Sequence, residues 1–498
     1  MATFFVNNLN DSGAGSLREA LTTANSTPGT DSIVFNVSGQ INLIDPLVIT
    51  DDVRINWPAI VFRTPAGIPF FTSPTSTITI DGTGLDDDGV GSSDEEDIFQ
   101  ISNGATVEMN NLVLNNAGED AIAIDSGDLK LFRVNIFNSD DDGIDSVSNG
   151  GLLQIVRSEI AQNGDDGIDV AASGATIVLE GAKVYDNDDY GIDIEGNDLT
   201  ITINKSDVYN NDDSGLRLND IETDNSFTTL KITNSSFEGN SDGIELESDG
   251  LTGFLSAVRA NGNDDEGVQI EGDDGIFTII KSQFSNNGSD GLILVEDDGG
   301  DSADNNKLTI IDSLFNDNFN DGLDIDGDFN QVSVFGGSSR GNGDSLLSED
   351  GRGVEVSGTG NRVFLNRILI ANNYSGGDGG GIGIFGVDNI VNLMSSVIKN
   401  NESLGDGGGI FIRGIVPESV PDETTGNQLI GRFNRIFDNF SGNNGGGISI
   451  GQSATASLFA NFIRGNTDSN NGSSDLFLAP SANFVDLGAN IIGTTISV

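Results

Sequence analysis

The group Asp140-Asp141-Asp142-Gly143-Ile144-Asp145 opens a pattern that runs through more than half of the chain. It returns as Asp165-Asp166-Gly167-Ile168-Asp169, as Asp188-Asp189-Tyr190-Gly191-Ile192-Asp193 and as Asp212-Asp213-Ser214-Gly215-Leu216, so the marker glycines fall every 24 residues. Further markers follow at Gly243, Gly267, Gly291, Gly322, Gly353, Gly381, Gly409 and Gly447, with insertions that lengthen some intervals to 28, 31 or 38. A unit this short cannot bury an apolar face alone and must stack on its neighbours.

Within one interval, short alternating runs are separated by turn residues: Gly167-Ile168-Asp169-Val170, then Ala175-Thr176-Ile177-Val178-Leu179, then Lys183-Val184-Tyr185. This spacing predicts two or three strands per coil and no helix within the repeats. Ile144, Ile168, Ile192 and Leu216 form one apolar column, and Val170, Ile194 and Leu218 form a second. A third holds Ile160, Val184, Val208, Phe237, Phe284 and Phe315; asparagine comes three residues later at Asn163, Asn187, Asn211, Asn240, Asn287 and Asn318. In this column Phe437 is an exception, with Asn439 only two residues on. The columns predict an all-β fold, a single-stranded right-handed parallel β-helix of about 24 residues per coil. Like side chains stack about 4.8 Å apart in such a solenoid. The asparagines are expected to form an internal ladder and to cap their own turns. The marker glycine is expected at positive φ.

The ends depart from the repeat. Ser16-Leu17-Arg18-Glu19 is a capping box, which predicts a short helix over 17–25 that closes the first coil. Residues 1–102 read as the cap and irregular first coils, 103–475 as regular coils and 476–498 as the last coil. Loops are expected near 64–76, 84–97, 220–226, 297–306, 343–351 and 414–428.

Net charge is 22 − 78 = −56. That opposes attraction to nucleic acid or anionic lipid and favours cations and cationic partners. The absence of cysteine and histidine excludes disulfides, thiolate metal sites and imidazole chemistry, leaving hard cations with oxygen ligands. The first residues lack the pattern of a signal peptide, and no apolar run approaches transmembrane length, so an export route is left open.

The segment Phe4-Phe5-Val6 … Asp11-Ser12-Gly13-Ala14-Gly15-Ser16-Leu17-Arg18-Glu19-Ala20-Leu21 … Asp31-Ser32-Ile33-Val34-Phe35 resembles the CSLREA-type N-terminal region of bacterial and cyanobacterial surface β-helix proteins, with Gly15 where that family carries cysteine. The resemblance implies an exported or surface-attached protein. It implies no single activity, because such proteins include adhesins, passenger domains, lyases, hydrolases and epimerases.

Two acidic columns bear on chemistry. Asp145, Asp169 and Asp193 are expected to face solvent between the two apolar residues of their strand, followed in the column by Arg217 and Glu245. Asp141, Asp165, Asp189, Asp213 and Asp265 line the turn, four residues away around a bend. Stacked like charges repel, and a bound cation relieves this. Calcium, which takes oxygen ligands, is the expected ion on these eight aspartates. A non-catalytic surface scaffold, adhesive or structural and stabilised by calcium, is the first expectation. Its partners would be divalent cations, with polysaccharide or another surface protein as further candidates.

The alternative is a calcium-dependent polysaccharide lyase or related carbohydrate-active enzyme. Lyases of that kind are similar in fold, which implies Asp169, Asp193 and Glu245 around an ion with Arg217 as base. Their histidine and Arg-x-Lys elements are missing here. Pairs such as Asp188-Asp189 and Asp212-Asp213 instead suit glycoside hydrolysis by converging carboxylates. Phe237, Phe284, Phe315 and Trp57 are expected in the core, while Tyr185, Tyr190 and Tyr209 are candidates for stacking on sugar.

Overall fold

Three alternating runs in each interval become three strands. In the coil that begins at Gly167 these are Ile168–Ala171, Thr176–Glu180 and Lys183–Tyr185. Successive side chains of a strand leave on opposite faces; here Ile168, Val170, Ile177, Leu179 and Val184 turn inward and are buried. Each strand pairs in parallel and in register with the equivalent strand one coil on: Ile168 with Ile192, Ile177 with Ile201 and Val184 with Val208. The fold, seen in a computed structural model, is a right-handed parallel β-helix solenoid of about 16 turns with a short N-terminal helix.

The structure describes all residues except 57–59, 64–68, 72–76, 86–95, 220–226, 296–302, 344–349, 415–425 and 498, and the backbone alone at 60–63, 69–71 and 350. Trp57 and most of each expected loop lie outside the described residues. No helix among the described residues is long and apolar enough to cross a membrane.

The chain divides into two compact units, Met1–Lys231 and Ile232–Val498. The first carries the helix, Leu17–Asn25, at the predicted residues. Ser16 accepts the Glu19 N–H at 3.2 Å, while the Glu19 carboxylate accepts from Gly15 instead of closing the box on Ser16. Leu17, Ala20, Leu21 and Ala24 are buried where the helix packs on strands Thr3–Val6, Asp31–Phe35 and Leu47–Ile49. In the second unit, coils beyond Gly353 gain a fourth short strand, as at Tyr374–Ser375, Glu402–Ser403 and Phe440–Ser441, which stack in parallel.

The asparagine column is the buried ladder that the spacing predicts. Asn163 Nδ2 donates to Asn187 Oδ1 at 2.9 Å, and Asn187 Nδ2 to Asn211 Oδ1 at 2.8 Å; the backbone N–H groups of Asn163 and Asn187 reach the same two oxygens. Phe437 is no exception to this column: Ile398 pairs with Ile436, which places Asn439 three residues on and turns Phe437 outward.

The marker glycine differs from expectation. The left-handed bend is made one residue before each ladder asparagine, at Gln162, Asp186 and Asn210, with φ of 60°, 55° and 56°. At the marker the reason for glycine is space. A Cβ on Gly167 would lie 2.4 Å from Val184 Cγ1, 2.6 Å from the Gly191 carbonyl oxygen and 2.7 Å from Asn187 Nδ2.

Candidate functional site

The residue before the marker glycine lies in neither acidic column read from the repeat, yet it organises the acidic turn of the first unit. Asp97, Asp120, Asp142 and Asp166 occupy this position in successive coils. Each Oδ1 accepts the backbone N–H one coil on: Asp120 N–H to Asp97 at 3.2 Å, Asp142 to Asp120 at 3.0 Å, Asp166 to Asp142 at 2.8 Å and Tyr190 to Asp166 at 2.8 Å. The strand ladder does not extend to these N–H groups, and a buried donor needs an acceptor. The carboxylates that serve them are themselves poorly hydrated. Burial first, and then neighbouring carboxylates, push Asp120 up to about 9 and Asp166 to about 9. Asp142 rises to about 8, mainly through burial.

This third column draws the other two together. Carboxylate oxygens within 4.8 Å of one another define the groups Asp141–Asp142–Asp165, Asp165–Asp166–Asp189 and Asp166–Asp169–Asp193. Asp166 belongs to two of them, one on each side of the bend. Calcium binds oxygens at about 2.3–2.6 Å, so oxygens this close together can share one ion. The clusters can coordinate a divalent metal, and nothing in an all-carboxylate donor set singles out calcium from other hard cations.

The expected ligands divide accordingly. Asp141, Asp165, Asp189, Asp169 and Asp193 fall in clusters; Asp145, Asp213 and Asp265 join none among the described residues. Asp193 does not face solvent as its strand position predicts. It is buried under Arg217, which donates to Asp193 Oδ2 at 3.3 Å and to Glu195 Oε1 at 3.2 Å, with its guanidinium 5.0 Å over the Tyr190 ring. Asp169 is half-buried and pushed up to about 7, by burial first and then by Asp145 and Asp193. Glu245 belongs to the second unit. Tyr185 and Tyr209 stack on each other, centroids 4.8 Å apart and planes 1° apart, and Phe237, Phe284 and Phe315 are buried.

In the second unit the same columns are filled differently. Asp321 and Arg352 precede consecutive marker glycines, and the strand column runs Asp324, Glu355, Gly383, Phe411. Gly383 leaves a gap in that column. A Cβ there would lie 2.3 Å from Phe385 Cε2 and 2.9 Å from Arg352 Cδ. Phe385 and Arg352 fill the gap from either side, the guanidinium 4.8 Å from the ring centroid. Arg352 donates from Nε to the Asp378 carbonyl at 2.9 Å, bonds Glu355 Oε2 through an N–H, and lies 3.9 Å from Asp321 Oδ2. Asp321 Oδ1 accepts the backbone N–H of Arg352, continuing the ladder seen in the first unit.

The result is a cleft of about 540 Å³ between Asp321, Asp324, Asp326, Glu355, Arg352, Phe385 and Arg413. Oxygens of Asp321, Asp324 and Glu355 lie within 4.8 Å of one another. Glu355 is ion-paired to Arg352, whose side chain is only 8% exposed. Asp324 is half-buried, and its Oδ1 is shielded from water with no hydrogen-bond partner. Burial, then the charges of Glu355 and Asp321, hold the Asp324 carboxyl well above the usual range. Burial and Glu355 raise Asp321 as well, against the opposing pull of Arg352. The repeat motif marks Asp321 and Asp324, but the cleft depends on the two positions that break the repeat, Arg352 and Gly383.

Residues 97–255 match the family described as right handed beta helix region. No curated protein matches by sequence. Among solved structures, the tailspike protein 3 of bacteriophage CBA120 is similar at TM-score 0.41 and 13% identity, over 83% of this chain and 62% of that one. Pectate lyase Pel9A is similar at TM-score 0.32 and 15% identity, over 70% of this chain and 82% of its own. The surface protein and adhesin PfbA of Streptococcus pneumoniae is similar at TM-score 0.31 and 9% identity, over 78% and 95%. The chain thus spans 62% of the length of the tailspike. These likenesses are of fold. The family match leaves out residues 4–35, so the CSLREA-type resemblance stands on those residues alone.

Proposed function

We propose that the protein is a carbohydrate-active β-helix that cleaves glycosidic bonds in a polysaccharide, with its reaction centre in the cleft of the second unit. The observation that supports this best is the meeting of Asp321, Asp324 and Glu355 in one place, their oxygens within 4.8 Å, beside an apolar wall at Phe385. Hydrolysis fits these groups better than elimination. Arg217, the base expected for a lyase, is tied to two carboxylates, and Arg352 is buried between Glu355 and Asp321. A guanidinium in such company keeps its proton.

In this reading the Asp324 carboxyl protonates the glycosidic oxygen as the bond to the sugar carbon breaks. Glu355, oriented by Arg352, attacks the sugar carbon as that bond breaks and forms a glycosyl ester; water, giving a proton back to Asp324, then cleaves the ester and frees Glu355. Carboxylates this close correspond to the roughly 5 Å separation of retaining glycosidases and not to the roughly 6.5–9.5 Å of inverting ones. The aspartate clusters of the first unit would hold calcium as a structural ion, by Asp141, Asp142 and Asp165, by Asp165, Asp166 and Asp189, and by Asp166, Asp169 and Asp193. Calcium there neutralises stacked carboxylates and takes no part in bond cleavage. An extracellular or surface location follows from the resemblance of residues 4–35.

The test is a panel of neutral and acidic polysaccharides assayed for new reducing ends and, separately, for unsaturated products. New saturated ends with the wild type, lost in Asp324→Asn and Glu355→Gln, support hydrolysis; unsaturated products would replace it with elimination. A second reading, a non-catalytic adhesive or structural scaffold, is favoured by the regularity of the aspartate ladder over successive coils. It becomes the better account if the wild type opens no polysaccharide of the panel.

A further inference from the structure

The second and third strands of five successive coils in the second unit, with the corner between them, cover residues 331–340, 362–371, 390–399, 428–437 and 455–464. These fifty positions (5 × 10) contain none of the 78 acidic residues of the chain and seven of its 22 basic ones. Arg340, Arg362, Arg367, Arg432, Arg435 and Arg464 are exposed, and Lys399 is half-buried. Every one of the five coils presents at least one cation, and none of the seven has an ion-pair partner among the described residues. Acids border the face: Asp388 and Asp438 in its turns, Asp312 and Asp317 on the coil before it, and Asp486, which pairs with Leu458, on the coil after it.

The equivalent strands of the first unit are built differently. There cations and acids alternate and pair across coils, Lys183 with Glu159 at 3.2 Å and Lys205 with Glu180 at 3.1 Å. A structural role for surface cations would look like that. On the second unit the cations are instead interleaved with apolar side chains. Phe433 is 52% exposed and meets Phe459 edge-on at 5.5 Å; Met394 is 37% exposed; the Arg435 guanidinium lies 5.1 Å from the Phe437 ring centroid.

We infer that this face binds an anionic polysaccharide, laid along the solenoid with acidic groups on the arginines and sugar rings against the phenylalanines. The column that ends the third strand carries Arg340, Lys399 and Arg464 in alternate coils, with Ala371 and Phe437 between them. Cations thus recur there about every 10 Å, two coil spacings, which suits an extended polymer with charge at regular intervals. Fixed charges on a surface attract a polyanion locally even when net charge is of the same sign, because salt screens the distant acids beyond about 8 Å. The face lies on other strands than the cleft and is independent of the proposed reaction.

The experiment uses the full chain and three probes of matched length: dextran sulfate, polygalacturonate and neutral dextran. Expected is binding of one or both polyanions, weakening as salt is raised, with no binding of neutral dextran. The variant Arg367→Glu/Arg432→Glu/Arg435→Glu should lose affinity by about tenfold or more and show a shallower salt dependence, with its melting temperature checked to show that it folds. Sulfate and carboxylate recognition are separated by which probe binds. Asp324→Asn should bind as the wild type does, which keeps this result apart from the fate of the cleft. Equal binding of neutral dextran, unchanged affinity in the triple variant, or equal affinity for a nucleic acid duplex would overturn the inference. So would a salt-sensitive oligomer that the triple variant dissolves, which would assign the face to a second copy of the chain.

Discussion

The aspartate ladder at Asp97–Asp193 and the cleft at Asp321–Arg413 use the same columns of the coil, one in each unit, and put them to different ends. In the ladder each coil repeats its neighbour. Asp97, Asp120, Asp142 and Asp166 each accept an N–H one coil on, acidic clusters recur beside them, and the run closes where Arg217 pairs with Asp193. In the cleft an arginine replaces the acid before the marker glycine and Gly383 replaces the acid of the strand, so Arg352 meets Glu355 and Asp321 while Asp324 lies beside them. Repetition serves architecture, and the proposed reaction centre lies where the repeat is broken.

The strongest way to break this comparison is through activity. Asp324→Asn or Glu355→Gln is expected to lower polysaccharide cleavage by about 10²–10⁴-fold, the usual contribution of a positioned acid or base. Asp169→Asn, in the equivalent strand position of the ladder, should leave the rate within about twofold of wild type on the same reasoning. Rates measured on one substrate for all variants decide it; an equal loss from Asp169→Asn would erase the distinction between the two regions.

Next in size is the response of the ladder to pH. Asp120, Asp142, Asp166 and Asp169 reach about 9, 8, 9 and 7, and all have ordinary carboxylate values once unfolded. Between about pH 4 and pH 9 the folded chain thus binds more protons than the unfolded one, and stability falls as pH rises. In chelator, the melting temperature should drop between pH 5 and pH 9 by about 5 °C or more, and calcium in excess should flatten the slope. A melt that is flat in chelator, or that calcium does not move, removes the cation from the account.

Much of this was legible in the sequence. The three apolar columns, the asparagine ladder and the capped helix follow from spacing, because a stacked coil transmits each residue type to the next at a fixed interval. Three features were not. The marker glycine's role needs the neighbouring coil, since what excludes a side chain at Gly167 is Val184, Asn187 and the Gly191 carbonyl, all of which come later in the chain. The acid before the marker was visible in Asp-Asp-Gly, but its burial depends on an N–H one coil on. The cleft was harder still, because a search for recurrence passes over the positions where recurrence stops.

A smaller effect separates the two kinds of glycine. Gly191→Ala places a Cβ 2.7 Å from Asn211 Nδ2 and 2.7 Å from the Gly215 carbonyl, a backbone atom that cannot step aside. A cost of about 1–3 kcal/mol is expected, as for other overpacked positions. The atoms nearest the Cβ in Gly383→Ala are side-chain atoms of Phe385 and Arg352. Those can shift, so the melt should move little while cleavage falls, because Arg352 loses its place beside Glu355. Thermal melts and rates on both variants give the pattern. If Gly383→Ala instead costs stability and spares activity, the gap at Gly383 is packing and the cleft loses its defining feature.

A last test concerns Arg217, the residue on which the lyase expectation rested. It bridges Asp193 and Glu195 at a site where its side chain is 20% exposed. The Asp193 partner is 11% exposed, so removing Arg217 leaves a buried carboxylate without its cation, at a cost of up to about 3 kcal/mol when no metal is bound. Arg217→Ala should therefore lower the melt in chelator and leave polysaccharide cleavage unchanged. The Asp193 carboxylate would lose its nearest cation and gain a greater need for a metal, so the calcium dependence of the melt should become steeper in this variant. Abolished cleavage in Arg217→Ala with an unchanged melt would return the reaction centre to the first unit and make the ladder, with its ion, part of the chemistry.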